Sequence, residues 1–272
     1  MLYNNVIKRL EVKNIGQKGA TQALHIFNKA YEDGKPAKSI VLQSYELILS
    51  HETWAINTKL KIWRILAHSI YSEYPNLKDY IDSLNIRKQE VIKVYLNQRE
   101  LEKLFDNMLI TSSTGQGFKA PKTDILKACI FSAFTGLRLS DLKAIKWEDI
   151  YDGSVNMVMQ KTKKEVRVPL GHKAIKVLEM QGQGRSPGSK IFKFPDSELA
   201  IYRNINRWVA YNGIQKKVGV HTFRHSFAQN LYDKGVDIYA ISSLLGHSTV
   251  EQTKAYLRAG DAHLVNAISV LD

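Results

Sequence analysis

Apolar residues near the start of the chain recur at the three- and four-residue spacing of an amphipathic helix. Leu24, Phe27 and Tyr31 follow this spacing after Thr21, whose hydroxyl is suited to an N-cap. Gly34 comes soon after them and is placed to end the helix. The pattern therefore predicts a helix that begins at Thr21 and ends before Gly34.

The same spacing predicts three more helices before residue 90. One runs through SIVLQSYELILS after Pro36, a longer one is capped by Asn57, and a short one through LKDYIDSL opens at Pro75. No stretch of this part alternates apolar and polar residues in the manner of a strand. We therefore predict a small helical bundle over residues 1–90, with a polar linker near residues 85–90.

The remainder, residues 91–272, is predicted to combine helices with one hairpin. SVNMVMQ and EVRVPL alternate with period two and flank KTKK, the pattern of two antiparallel strands joined by a basic tip. Helical spacing recurs near residues 98–110, 122–135, 172–181, 197–211, 222–233, 237–245 and 249–258, and in a tail from Asp261. The fold class that follows is mainly α with a small antiparallel β-sheet (α+β).

Charge adds an expectation about partners, because 39 Lys and Arg stand against 26 Asp and Glu, a formal net charge of +13. Divided at Asn97, the first part has 14 basic and 9 acidic residues and the second has 25 and 17, so both parts are positive. Such a surplus indicates an anionic partner, most commonly nucleic acid. A basic protein with no nucleic-acid role is the alternative that charge alone leaves open.

Composition also bears on where the protein works. The longest apolar stretch, from Ile125 to Leu137, is interrupted by Lys127 and is shorter than the ~20 residues that span a bilayer. The N-terminus lacks the basic-then-apolar layout of a secretory signal. The single cysteine, Cys129, cannot form an internal disulfide, which is typical of a reducing compartment. We expect a cytoplasmic, nucleoid-associated protein with no membrane partner.

The sequence does not indicate a metal or nucleotide site. The chain contains no CxxC, no HExxH and no acidic pair with metal-site spacing. The glycines of QGQGRSPG do not lead into the GK[ST] of a phosphate-binding loop. We therefore expect no metal and no cofactor.

Four short segments carry the residues that are able to do chemistry. They are TGLRLSDL with Arg138, QKTKKEVRVPL with Lys161, HTFRHSFA with His221 and Arg224, and LLGHSTVEQTKAYL with His247 and Tyr256. Their order and spacing resemble the tyrosine recombinase (phage integrase) family, whose active site combines Arg, Lys, His-x-x-Arg, His or Trp, and Tyr. The resemblance extends over about residues 98–260 and includes the sequence that flanks each segment.

The residue types themselves suit a phosphodiester. Arg138 and Arg224 are permanently charged forks that can grip a phosphate at two points. His221 and Arg224, at positions i and i+3 of a predicted helix, share one face of it. A phenol ionises near pH ~10 in water, so Tyr256 as the nucleophile needs a base and cationic neighbours. His221 is the candidate base, and His247 is a second hydrogen-bond donor to the phosphate.

The departing 5′-oxygen also needs a proton, because an alkoxide is a poor leaving group. Lys161 is the matching candidate for that acid, since QKT preserves the family's order of lysine before threonine. Lys163 and Lys164 share the hairpin tip and remain alternatives for the acid, or contacts to DNA. Asp141, three residues after Arg138, matches the acidic position of the family motif and is expected to orient that arginine.

Residues beside these motifs have ordinary explanations as well. His225 follows Arg224 and points about a third of a turn away, so we expect it to be structural. The stretch NTKLKIWRILAHSIYSEYPN resembles a helix of the family's core-binding domain. Its Lys59, Lys61 and Arg64 could meet DNA phosphates, and a solvated helix face is the alternative.

The resemblance implies an activity and an assembly. Family members cut and rejoin DNA through a covalent 3′-phosphotyrosyl intermediate without metal or ATP, as four protomers on two duplexes. It implies a helical core-binding domain over residues 1–90 and a catalytic domain over residues 91–272, forming a clamp around double-stranded DNA. The tail DAHLVNAISVLD would dock into a neighbouring protomer or pack back in cis. Its apolar residues at helical spacing are Leu264, Val265, Ile268 and Leu271.

Three other functions remain open on the sequence. A type IB topoisomerase would use the same chemistry as a monomer that relaxes supercoils. A non-catalytic DNA-binding protein descended from recombinases would bind without forming a covalent adduct. An RNA-binding module, suggested by charge alone, would prefer single strands. If the protein is a recombinase, the sequence does not distinguish whether its reaction is integration, excision, inversion or dimer resolution.

Overall fold

The computed structural model describes residues 2–13, 18–87, 89, 93–114, 124–182 and 186–257. The chain divides into two compact units, Met1–Val91 and Ile92–Asp272. Helices dominate the described residues, and one three-stranded antiparallel sheet accompanies them. The predicted class, mainly α with a small antiparallel sheet, is therefore confirmed.

The N-terminal unit is the predicted helical bundle. Its core is formed by apolar side chains that are fully buried, among them Phe27, Ile48, Ile62 and Leu66. Pro75 opens one turn of 3-10 helix that leads into the short last helix, as predicted. The helices that the structure describes in this unit are Leu2–Lys13 (α1), Lys18–Ala30 (α2), Ala37–Leu49 (α3), Ile56–Tyr71 (α4) and Lys78–Ser83 (α5).

Two of the predicted caps are wrong. Thr21 lies inside α2, because the buried residues Gly19 and Ala20 extend that helix toward the N-terminus. Asn57 lies inside α4, and its amide instead pairs with the backbone of Gln89. Its Nδ2 donates to the Gln89 carbonyl over 2.9 Å, and its Oδ1 accepts from the Gln89 amide over 3.1 Å. The Asn57 side chain thus makes a tertiary contact, whereas the local sequence predicted that it would cap a helix.

The C-terminal unit is built around one apolar helix. Nine of the eleven residues of Ile125–Thr135 are buried, as expected of a helix that is apolar on nearly every side. The helices of this unit that the structure describes are Gln98–Thr114 (α6), Ile125–Thr135 (α7), Leu139–Ala144 (α8), His172–Met180 (α9), Glu198–Tyr211 (α10), Val220–Asp233 (α11), Ile238–Leu244 (α12) and Val250–Lys254 (α13). α7 packs against α6, α9, α10 and α11.

The predicted hairpin is confirmed as strands Ser154–Val158 (β2) and Glu165–Pro169 (β3), with Val155 opposite Val168. A further strand, Ile150–Tyr151 (β1), pairs with β2. Its two residues are too few for an alternating pattern, so the sequence did not reveal it. The hairpin tip, residues 159–164, carries the KTKK sequence.

The end of the chain matches the expectation only in part. The predicted helix near residues 249–258 is shorter, and α13 ends at Lys254. The tail helix predicted from Asp261 lies outside the described residues. Within the described ranges, no helix is long and apolar enough to cross a membrane.

Candidate active site

Arg138 is placed by a sharp reversal of the chain between α7 and α8. Gly136 ends α7 in the left-handed region with φ +71°, which a residue without Cβ adopts at little cost. A Cβ there would also lie 2.7 Å from Cδ1 of Phe227 and 2.9 Å from Cδ2 of Leu245. The tight turn brings Arg138 to the start of α8, where its Nη1 donates to the sulfur of Met159 over 3.1 Å.

Asp141 ties this turn to the hairpin. Its side chain is fully buried, and its Oδ2 accepts from the backbone amide of Arg138 over 3.2 Å. Its Oδ1 accepts from the backbone amide of Gln160 over 2.8 Å, next to Lys161. The carboxylate therefore holds two backbone segments together, and this is how it can orient the arginine.

The three lysines of the hairpin tip occupy different positions. Lys161 is exposed and lines the cleft that the other motifs form. Lys163 turns the tip with φ +55°, and the Lys164 ammonium donates to the carbonyl of His247 over 3.1 Å. Of these three lysines, all of which the structure describes, Lys161 alone lines the cleft.

Arg224 lies beneath the cleft, with only 1% of its surface exposed. Its Nη1 donates to the carbonyl of Gly136 over 2.5 Å and its Nη2 to the carbonyl of Leu245 over 2.8 Å. Burial and, after it, the charge of Arg138 lower the pKa of Arg224 to about 10, while Tyr256 and Asp141 act in the opposite direction. Its Nε–H is buried and meets no acceptor among the described residues.

His247 is held as a neutral ring with a defined tautomer. Nη2 of Arg224 lies 2.9 Å from its Nε2, and a guanidinium can only donate, so Nε2 accepts. Its Nδ1 then carries the proton and donates to Oγ1 of Thr253 over 2.7 Å. Burial, followed by the charges of Arg224, Arg138 and Lys93, lowers the pKa of His247 to about 3.

His221, in the first turn of α11, is exposed at the wall of the cleft. Loss of solvation, followed by the charges of Arg224, Arg138 and Lys161, lowers the pKa of His221. A lowered pKa keeps the imidazole neutral at physiological pH. That is the state that a general base requires.

Tyr256 follows α13 in a turn, and its ring is bordered by side chains from three other segments. The ring stacks on His247, with 5.3 Å between centroids and planes 9° apart. The ring of His225 lies 4.2 Å away at 43°, and the Nζ of Lys93 lies 4.1 Å from the centroid of the tyrosine ring. Cationic and imidazole groups therefore surround the phenol.

These side chains meet in one cleft of about 980 Å³. Arg138, Lys161, His221, His247 and Tyr256 line it, and Arg224 supports it from below through its contact with His247. The six positions come from segments that span more than a hundred residues of sequence, yet the fold brings all of them together. The roles assigned to them in catalysis stay predictions.

The lysines and arginine predicted to contact DNA from α4 lie in the N-terminal unit and differ in exposure. Lys61 and Arg64 are exposed, one turn apart on that helix. Lys59 is partly buried, and its ammonium donates to the carbonyl of Leu49 at the end of α3. The structure therefore gives Lys59 an intramolecular partner that the sequence did not suggest.

Two residues that contact the Tyr256 ring in the cleft were not predicted from the sequence. Lys93 belongs to no motif, and no sequence signal connected it with Tyr256. His225 was read as structural from its angle to Arg224, but it lines the cleft. A signal was present, because His225 stands four residues after His221 and positions i and i+4 share a helix face.

Potential metal ligands do not cluster in the part of the chain that the structure describes. These residues contain no group of three or more His, Cys, Asp and Glu side chains that could hold a metal ion. Among its charged and titratable side chains, lysines, an arginine and imidazoles predominate in the lining of the cleft, and Glu198 adds one carboxylate. Such a lining suits the negative charge of a phosphate.

Comparison with known families adds to this geometry. Residues 94–263 match the model of the phage integrase family, which is well over half of the chain. The chain belongs to the phage integrase family. This family comprises the tyrosine-type site-specific recombinases, so the family resemblance seen in the sequence is confirmed.

Individual relatives give the same result. A tyrosine recombinase of Pseudothermotoga lettingae is 29% identical over 252 residues, covering 87% of this chain and 83% of that protein. Tyrosine recombinase XerC of Xanthomonas axonopodis pv. citri is 34% identical over 137 residues. That match covers 48% of this chain and 45% of XerC, so it spans less than half of the relative's length.

Solved structures share the fold at low sequence identity. A λ integrase dimer bound to a COC′ core site matches with a TM-score of 0.68 and 19% identity, covering 94% of this chain and 75% of that chain. The Tn1549 transposon integrase in complex with transposon right-end DNA matches with a TM-score of 0.71 and 16% identity, covering 100% of this chain and 99% of that chain. This chain of the phage integrase family thus shares the fold of integrases solved in complex with DNA.

Proposed function

We propose that this protein is a site-specific DNA recombinase that cuts and rejoins strands through a covalent 3′-phosphotyrosyl intermediate. One observation carries the proposal: a phenol, two guanidiniums, two imidazoles and an amine converge on a single cleft. Phosphoryl transfer demands mainly positioning of the reactants and cancellation of charge on the phosphate oxygens. These groups can supply both without ATP.

In the proposed cleavage step, the Tyr256 oxygen attacks the phosphorus, and the bond from phosphorus to the 5′-oxygen breaks. The phenolic proton passes to His221, and the 5′-oxygen takes a proton from Lys161. Attack by a 5′-hydroxyl of another strand reverses both transfers, forms a new phosphodiester and releases Tyr256. One phosphate ester replaces another at each stage, so no external energy source is required.

Arg138 and Arg224 would bind the non-bridging oxygens, the latter through the Nε–H that has no acceptor among the described residues. His247 requires a rearrangement before it can donate to the phosphate. Its Nε2 accepts from Arg224 in the DNA-free protein, so this nitrogen must gain a proton when DNA enters. The negative charge of the phosphate favours that proton, because it offsets the surrounding cations.

The proposed partner is double-stranded DNA, bound by the N-terminal unit as a core-binding domain and by the C-terminal unit as the catalytic domain. Lys61 and Arg64 on α4, and Lys163 at the hairpin tip, are exposed cations able to meet phosphates. We infer assembly of four protomers on two sites in the cytoplasm, at the nucleoid. The tail residues 261–272, expected to dock into a neighbouring protomer or to pack back in cis, lie outside the described residues.

The proposal is tested first by finding the DNA site. The protein is incubated with a fragmented genomic library, denaturant-resistant adducts are recovered, and the attached strand ends are sequenced. A shared sequence at the ends supports site-specific cleavage. Random ends, together with relaxation of supercoiled DNA that lacks a second site, would instead indicate a topoisomerase.

The nucleophile is tested on a nicked version of that site. Tyr256→Phe keeps the ring but has no oxygen to attack phosphorus, so we expect normal DNA binding and no covalent adduct. Adduct is measured by denaturing gel electrophoresis, and binding by mobility shift. An undiminished adduct from Tyr256→Phe would reassign the nucleophile and reject the proposed role.

A further inference from the structure

The backbone around Tyr256 does little to hold its side chain. α13 is only five residues long, and the Tyr256 amide donates to the carbonyl of Thr253 over 2.8 Å in the turn that follows. The preceding residues, Lys254 and Ala255, are exposed. The orientation of the phenol therefore depends on the side chains that surround it, Arg224 among them.

Lys93 supplies one of those contacts from the start of the C-terminal unit. Its Nζ lies 4.1 Å from the centroid of the Tyr256 ring, inside the ~6 Å reach of a cation–π interaction. Lys93 also lines the cleft that holds the other motif residues. The contact thus lies within the proposed active site and joins two segments that are far apart in sequence.

His225 supplies an uncharged aromatic surface beside the same ring. The ring centroids are 4.2 Å apart, so the two rings are in direct contact. Burial, followed by the charge of Lys93, lowers the pKa of His225 to about 3, so the imidazole is neutral at physiological pH. His225 can therefore lie near Lys93 without adding a second positive charge.

We propose that Lys93 is a positioning residue that, together with His225, holds the Tyr256 ring in the cleft before it attacks DNA. This inference rests on the proposed function, because it assigns a step to the nucleophile. Lys93 contacts the face of the tyrosine ring. Its effect is to raise the fraction of molecules in which the phenol stands beside Arg224 and His247.

The proposal separates the two chemical steps. Before cleavage only noncovalent contacts hold the phenol in the cleft, whereas after cleavage the bond to phosphorus holds it in place. We expect Lys93→Met to slow single-turnover cleavage of a nicked site about tenfold, equivalent to ~1.4 kcal/mol. Ligation from a preformed covalent complex should change less than about twofold. Lys93→Arg, which keeps the cation, should restore most of the cleavage rate.

A second measurement needs no DNA. Hydrogen exchange of residues 250–257 in the full-length protein should rise in Lys93→Met, because the ring contact that holds this segment is lost. Lys143→Met removes another positive charge from the same cleft and is the matched control, with exchange of residues 250–257 unchanged. Unaltered exchange of α7 in both variants shows that the unit remains folded.

Each outcome tests either the positioning role of Lys93 or the proposed function. Equal losses of the cleavage and ligation rates in Lys93→Met, or an exchange rate of residues 250–257 that is the same as in the wild type, would overturn the positioning role. Failure of Lys93→Arg to restore cleavage would overturn the cation–π explanation. An undiminished covalent adduct from Tyr256→Phe would reject the proposed role of Tyr256 as the nucleophile, and the exchange result would still decide whether Lys93 holds this segment.

Discussion

At the scale of single residues, the histidines of the cleft carry a pH dependence of stability. The pKa of His225 and of His247 is lowered to about 3 in the folded protein, in each case chiefly by burial. Unfolding returns each ring to water, where it titrates near ~6.5. Between these values the unfolded chain binds more protons, so stability is lost as the pH falls below ~6.5 toward about 3.

We expect the free energy of unfolding to drop by about 1 kcal/mol per histidine for each pH unit across this interval. Urea denaturation at pH 7 and pH 5 measures the drop. In His225→Asn, the drop in the free energy of unfolding between pH 7 and pH 5 should be smaller by the contribution of one histidine. Above pH 7, the difference in the free energy of unfolding between this variant and the wild type should not change with pH.

Nuclear magnetic resonance of the imidazole nitrogens tests directly whether the buried histidine rings are neutral in the folded protein. In the DNA-free protein the His247 ring should stay neutral above pH 5, with its proton on Nδ1 facing Thr253. Loss of the corresponding signal in His247→Gln gives the assignment. A His247 signal that titrates near the ordinary histidine value would contradict both the neutral ring and the predicted loss of stability.

At the scale of secondary-structure elements, the turn after α7 is the feature on which the arrangement of the arginines depends. In Gly136→Ala, the new Cβ would lie 2.7 Å from the Phe227 side chain and 2.9 Å from the Leu245 side chain, and the substitution would strain a backbone with φ +71°. We expect a loss of about 2–4 kcal/mol in the free energy of unfolding, from overpacking and the left-handed conformation together. Covalent adduct formation should fall as well, because the Gly136 carbonyl accepts from Arg224.

Gly235→Ala is the matched control for that substitution. Gly235 also follows a helix with positive φ, +80°, but a Cβ there meets nothing within 4 Å. Only the backbone cost applies, so we expect a loss of about 1 kcal/mol. Equal losses at the two glycines, measured by urea denaturation, would show that packing against Phe227 and Leu245 is unimportant.

The elements also show what sequence reasoning can reach. The hairpin and most helices were predictable because their periodicity is local, and the motif residues were predictable because their spacing matches a known family. The caps assigned to Thr21 and Asn57 failed, since burial extends α2 and Gln89 binds the Asn57 amide. The contact of Lys93 with Tyr256 arises from tertiary packing alone, and no local pattern encodes it.

At the scale of the whole molecule, the excess of positive charge should appear as a steep dependence of DNA affinity on salt. Each phosphate that a cation neutralises releases bound counterions and adds ~0.9 to the slope of log affinity against log salt. Lys61 and Arg64 present exposed cations one turn apart on α4. If both meet phosphates, Lys61→Ala with Arg64→Ala lowers the slope by about 2 and weakens binding to all duplexes alike.

Mobility shifts over a range of potassium chloride concentrations measure that slope, and Lys78→Ala controls for loss of surface charge. Lys78 lies on α5 of the same unit and pairs with Asp82 over 2.5 Å, so its removal changes net charge while leaving α4 intact. We expect its slope to equal that of the wild type. If the double variant of Lys61 and Arg64 also keeps the slope of the wild type, these two side chains do not contact DNA and lie on a solvated helix face. The DNA contacts of the N-terminal unit would then involve other residues of its surface.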